Sequence, residues 1–372
     1  MSDTTIQKLR DFGQSIWFDN ISRALIQSGR VEELIDLGVS GMTSNPTIFD
    51  RAVSSSSDYD ERIDQLNKLG KPTFEVYDDL TVRDVQDAAD IFKPVYENTD
   101  GLDGYVSLEI DPHLATKTDE TIEEGRRLHK KVDRPNVMFK VPAANEGFDA
   151  IETFLAEGIN VNVTLIFSLE QYEKTAQAFL NGMARLSERQ GDLSRTSSVA
   201  SVFVSRVDTA VDKMIDEMIA TEKDEAAKDK LQSMRGEAAV ANAKLIYQKS
   251  LEIFSGDAFT KLRKKGARVQ RVLWGSTGTK DPSYSDIKYV AELIGKETVN
   301  TVPEKTLEAF LDHGIVREAV TSDLKGAQEI IESLRGFGID IEEVCDRLLQ
   351  DGIVAFQKSF DSLLESIRAK AG

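Results

Sequence analysis

The sequence predicts an α/β fold, a single (β/α)8 TIM barrel, on three observations. Eight short β-like segments recur along the 372 residues. Longer, charge-rich amphipathic stretches separate them. In several of the segments alternate residues are polar, and the polar set lies toward the C-terminal end. The first two observations are the pattern of parallel strands joined by crossover helices. The third is expected of barrel strands, because barrel sites are built at strand C-terminal ends.

In chain order the strand candidates are residues 15–19 (SIWFD), 38–44 (GVSGMTS), 104–110 (GYVSLEI), 136–142 (NVMFKVP), 159–167 (INVNVTLIF), 198–205 (SVASVFVS), 271–276 (RVLWGS) and 299–303 (VNTVP). Each is short, rich in β-branched or aromatic residues, and bounded by polar or glycine positions. Between them, ETIEEGRRLHKKV, SLEQYEKTAQAFLNGMARLSERQ and SDIKYVAELIGK carry apolar residues at helical spacing on charged backgrounds. Two intervals, near 51–100 and 207–265, exceed one crossover helix and are expected to be helical insertions. Pro/Gly-rich linkers are absent and the strand series resumes after each, so residues 1–372 are expected to form one barrel domain. The C-terminal stretch 341–372 is expected to be a helical tail over the barrel mouth, with Ile353, Phe356 and Phe360 at roughly helical intervals.

Composition narrows the function. The chain has 64 acidic and 46 basic residues and a net charge of −18, which argues against a nucleic acid or a membrane as partner. An anionic small molecule would need a local cationic pocket. One cysteine, Cys345, and three scattered histidines, His113, His129 and His313, offer neither zinc-ligand spacing nor a disulfide framework, so no metal and no cofactor are expected. With no signal-like N-terminus and no apolar run near the ~20 residues of a membrane span, a cytoplasmic location is expected.

Strand parity then selects a site. If Val106, Leu108 and Ile110 face the helices, Glu109 faces the barrel interior. The same rule turns Val137, Phe139 and Val141 outward and Lys140 inward. In the fifth segment it turns Val161, Val163 and Leu165 outward, with Asn162 and Thr164 inward. In the first it turns Ile16 and Phe18 outward and Asp19 inward, and it makes Trp17 a barrel-layer residue. A lysine among carboxylates and amides suggests covalent amine catalysis. An ordinary lysine, with a pKa of about 10.4, is neutral in about one molecule in 2,500 at pH 7. Burial disfavours the charged form and frees the nucleophile. Taken singly, each residue has a plainer reading: a solvated or ion-paired strand lysine, a helix-capping aspartate, amides satisfying backbone groups. Together, the plainer readings require four coincidences of parity and strand end. His113 invites an acid/base role but reads better as a loop histidine bonded to backbone.

The segments GVSGMTSNPTIF, NVMFKVPAANEG, GINVNVTLIFS and SVFVSRVD strongly resemble the transaldolases, in particular the longer bacterial branch. The resemblance implies transfer of a dihydroxyacetone unit through a Schiff base, in the non-oxidative pentose phosphate pathway. Donors would be sedoheptulose 7-phosphate or fructose 6-phosphate; acceptors would be glyceraldehyde 3-phosphate or erythrose 4-phosphate. It implies Lys140 as the Schiff-base lysine and Asp19 as acid/base at the substrate's C4 hydroxyl. Glu109 and Thr164 match residues that hold a catalytic water. Asn45, Asn162 and Ser201 match contacts to substrate hydroxyls, and Arg206 and Ser276 match phosphate contacts. One departure stands out: Gly278 occupies the place of a phosphate-binding arginine in shorter members, which leaves Lys280 as the nearest replacement cation or else as a solvated loop lysine. A monomer or homodimer is expected. The competing expectations are a lysine-dependent fructose-6-phosphate aldolase, which is a lyase, and a non-catalytic sugar-phosphate sensor.

Overall fold

The structure, a computed structural model, describes residues 3–371. Eight parallel strands close into one barrel in sequence order. They are β1 (Gln14–Phe18), β2 (Gly41–Met42), β3 (Tyr105–Glu109), β4 (Val137–Pro142), β5 (Val161–Ile166), β6 (Ser198–Phe203), β7 (Arg271–Gly275) and β8 (Thr298–Val302), each falling within or overlapping a predicted segment. Helices connect them, as parallel pairing demands.

Alternation works as predicted on most strands. Val106, Leu108, Val137, Phe139, Val161 and Val163 are buried in the large core between sheet and helices. Trp17, Tyr105, Met138, Val199, Leu273 and Val299 form a second apolar cluster with Tyr96, filling the barrel interior. The Trp17 ring fits because its neighbour on β2 is Gly41, where an added Cβ would stand 2.7 Å from the indole. Below this layer, at the N-terminal end of the barrel, Arg271 donates to Ser15 Oγ (2.8 Å) and Asp103 Oδ1 (3.0 Å). Trp17 Nε1 donates to the same Asp103 oxygen (2.9 Å), so the buried charges satisfy one another.

Two expectations are corrected. β2 is far shorter than 38–44, because the chain leaves the ladder after Met42 to let Asn45 cap the helix Pro46–Ser55. Leu165 does not turn outward with Val161 and Val163. The β5–β6 register shifts between Val163 and Ile166, and Leu165 takes φ 56°, a left-handed conformation that frees its side chain from strand alternation. That side chain rises to the C-terminal helix, reaching within 3.0 Å of where a Cβ at Gly352 would stand.

Residues 51–100 hold the end of Pro46–Ser55 and the helices Asp60–Lys68 and Thr73–Asn98; residues 207–265 are also mostly helical. The C-terminal helix, Ile341–Lys370, packs along Pro46–Ser55 and touches β5. Thr47 and Ser359 hydroxyls meet at 2.8 Å, and Gln357 Nε2 donates to Pro112 O at 3.2 Å, tying this helix across the mouth. Among the described residues, no helix is long and apolar enough to cross a membrane.

Candidate active site

β3, β4 and β5 lie in a register that pairs Glu109 with Lys140 and Lys140 with Asn162, so one row of inward positions carries all three. Lys140 Nζ lies 2.8 Å from Glu109 Oε2 and donates to Ser44 O at 2.9 Å. Both side chains are 6 % exposed, so the pair is removed from bulk water and strongly coupled. Burial pushes the Glu109 carboxyl up, and the Lys140 charge and hydrogen bond draw it back. Phe356 of the C-terminal helix lies with its ring centre 5.8 Å from Nζ, which roofs the amine. Phe360 stands apart, against Tyr77 and His113.

Asn162 is held at both ends of its amide. Nδ2 donates to Ser107 Oγ at 3.0 Å and Oδ1 accepts from Ser201 Oγ at 2.6 Å. Asn45 spends its Oδ1 on the helix cap, accepting from Ile48 N at 3.0 Å, which leaves its NH2 group to donate elsewhere. Thr164 Oγ1 is buried with no hydrogen-bond partner among the described residues, as is expected where a buried hydroxyl serves a bound molecule.

Asp19, just beyond the end of β1, accepts from Thr43 Oγ1 at 2.8 Å, and Thr43 in turn meets Thr301 Oγ1 at 2.6 Å. Burial pushes the Asp19 carboxyl up, opposed by the Thr43 hydrogen bond and then by the charges of Lys140, Arg51 and Lys280.

One cavity of about 330 Å³ is lined by Asp19, Asn45, Lys140, Asn162, Thr164, Ser201, Arg206, Ser276 and Lys280. Glu109 is absent from its lining and reaches the site through Lys140. The arrangement thus gathers at one barrel end residues drawn from seven separate parts of the chain. Arg206 carries no carboxylate partner among the described residues; its guanidinium lies 5.3 Å from the Phe203 ring centre, and burial lowers it from its usual value. Ser276 takes φ 53°, a strained position for a non-glycine residue at a strand end, and its Oγ stands 3.0 Å from Ser205 Oγ. Lys280 is exposed and its Nζ lies 4.0 Å from where a Cβ at Gly278 would stand.

His113 departs from expectation. Its ring meets carboxylates rather than backbone: Nδ1 lies 3.1 Å from Asp111 Oδ1 and Nε2 lies 3.3 Å from Asp361 Oδ1. It therefore joins the β3 loop to the C-terminal helix. The residues that sequence reasoning missed are Thr43, Ser44, Ser107, Thr301 and Arg51. Ser107 shares the inward parity of Glu109 and was open to discovery; Ser44 acts through its backbone carbonyl, which no side-chain pattern reveals.

Fold and site together define a class of protein: a (β/α)8-barrel enzyme with a buried lysine-and-carboxylate centre at the C-terminal ends of its strands. The family model for transaldolase/fructose-6-phosphate aldolase matches residues 16–367. The chain is 46% identical over 369 residues to a transaldolase of Saccharopolyspora erythraea, covering 99% of this chain and 98% of that one. It is 43% identical over 366 residues to a transaldolase of Trichodesmium erythraeum, covering 98% and 96%. To a transaldolase of Mycobacterium ulcerans it is 44% identical over 361 residues, covering 96% and 95%. The chain belongs to the transaldolase/fructose-6-phosphate aldolase family.

Proposed function

We propose that the protein is a transaldolase of the cytoplasm, acting through a Schiff base on Lys140. The observation that carries the reading is the contact of the buried Lys140 amine with Glu109 at 2.8 Å, in a cavity shared with Asp19. A carboxyl pushed up by burial is a good proton acceptor, and transfer of the ammonium proton to Glu109 yields the free amine together with a neutral acid. The amine attacks C2 of a ketose phosphate such as fructose 6-phosphate or sedoheptulose 7-phosphate. Glu109 and Thr164 then serve the water and protons exchanged as the carbinolamine loses its hydroxyl to form the imine.

Asp19 takes the proton of the C4 hydroxyl as the C3–C4 bond breaks, and the electron pair passes into the imine to give an enamine. The aldose phosphate leaves, and the three-carbon unit stays on Lys140. Asn45, Asn162 and Ser201 hold its hydroxyls, while Arg206, Ser276 and Lys280 bind the phosphate of donor and acceptor. Addition to glyceraldehyde 3-phosphate or erythrose 4-phosphate reverses the steps, and hydrolysis frees the lysine.

The test is product analysis with fructose 6-phosphate as donor. With erythrose 4-phosphate present, sedoheptulose 7-phosphate should accumulate in step with glyceraldehyde 3-phosphate. Release of free dihydroxyacetone at the same rate with or without acceptor would identify a lyase instead, and no turnover of any ketose phosphate would leave only a binding protein.

A further inference from the structure

The inner cavity opens into a larger one of about 760 Å³, and six residues line both: Asp19, Ile48, Arg51, Gly278, Lys280 and Pro303. Arg51 and Lys280 are the cations at that junction. Ile48, Arg51, Ala52 and Ser55, which line the outer cavity, follow the spacing of one helical face on Pro46–Ser55. Arg51 is the only charged side chain of that face. The same helix starts at Asn45, a residue of the inner cavity, so its position relative to the amine is fixed by the cap.

Many Lys and Arg side chains of this acidic chain pair with carboxylates, as Arg23 does with Asp84 and Arg271 with Asp103. Arg51, like Arg206 and Lys280, has no salt bridge among the described residues, although all three line one cavity. The charges of Arg51 and Lys280 both reach Asp19, and neither cation is paired with it or with Asp286 and Glu304, the other carboxylates of the outer cavity. Gly278 lines both cavities beside Lys280 and presents no side chain there, which leaves room for a bulky anion. A guanidinium supplies two parallel N–H donors to such an anion, which an ammonium cannot.

We propose that Arg51 is a phosphate-binding residue of this site, holding the substrate's phosphate at the junction of the two cavities together with Lys280, across from Arg206. The proposal rests on the reading of the substrates as sugar phosphates. It gives the outer cavity a purpose: the far end of a longer chain, reaching outward from Lys140, meets Arg51.

The experiment compares the protein with Arg51→Ala and Arg51→Lys in two measurements. The first is calorimetric binding of inorganic phosphate, which needs no turnover. The second is kinetics with fructose 6-phosphate against unphosphorylated fructose. A lost charge-assisted contact should weaken phosphate binding about tenfold or more in Arg51→Ala. It should raise KM for fructose 6-phosphate by a similar factor with kcat within about twofold, so that the preference for the phosphorylated sugar falls. Arg51→Lys should recover part of each loss. Unchanged phosphate binding in Arg51→Ala overturns the proposal. So does an equal fall in kcat on both sugars, which would mean that Arg51 acts on the Asp19 charge alone. If the unaltered protein turns over no ketose phosphate, the transaldolase reading fails, while calorimetry still decides the role of Arg51.

Discussion

In the proposed mechanism Asp19 is the acid/base group, and burial, opposed by the Thr43 hydroxyl, sets its working range. Burial raises the carboxyl, and a raised carboxyl must meet a higher pH before it is ionised and able to accept a proton. The acid limb of kcat/KM should therefore lie above the ordinary carboxylate range. Thr43→Val removes a hydrogen bond that favours the charged form, so the limb should move further toward neutral pH, while the alkaline side stays in place. A limb that does not move, measured from pH 4 to 9, would show that Asp19 is not the titrating base. The residues that parity turned inward, Glu109, Lys140, Asn162 and Thr164, were legible because each is a polar side chain alternating with apolar ones on a strand. Thr43 was not legible, since it lies just past the two-residue strand β2, where strand parity no longer applies, and its partners Asp19 and Thr301 are distant in sequence.

At the scale of the element, the C-terminal helix crosses the barrel mouth and covers the site. Phe356 covers the amine, and Leu165, lifted by its left-handed backbone, supports the same helix beneath Gly352. A covalent enamine that must await a second substrate needs protection from premature loss of its three-carbon unit. Phe356→Ala should raise the share of that unit released as free dihydroxyacetone by roughly threefold or more, with the transfer rate falling in parallel. Chromatographic quantitation of dihydroxyacetone with acceptor present measures this, and an unchanged product ratio would remove Phe356 from the roof. The sequence announced this helix through its apolar spacing and nominated Phe356 and Phe360 alike. Only packing distinguishes them, because Phe360 lies one turn further on, where the helix has passed the mouth and rests on Tyr77.

At the scale of the whole molecule the barrel has two ends with different tasks: chemistry above the Trp17 layer and a buried ion pair below it. Asp103 and Arg271 are 4 % and 7 % exposed, and removing one partner strands the other charge in the interior. Asp103→Ala should lower stability by about 3–5 kcal/mol in chemical denaturation while leaving KM for the sugar phosphate nearly unchanged, because the apolar layer separates it from the site. The eight-strand series was readable from one chain because each strand carries its own apolar rhythm. The Arg271–Asp103 pair was not, since 168 residues separate its members and neither breaks a local pattern. The account as a whole turns on Lys140 forming a covalent imine. Borohydride reduction in the presence of fructose 6-phosphate, followed by peptide mass spectrometry, tests this most directly. A three-carbon adduct on the peptide that contains Lys140, with matching loss of activity, is the predicted result; an active enzyme that traps no adduct, or traps it on another lysine, would contradict it.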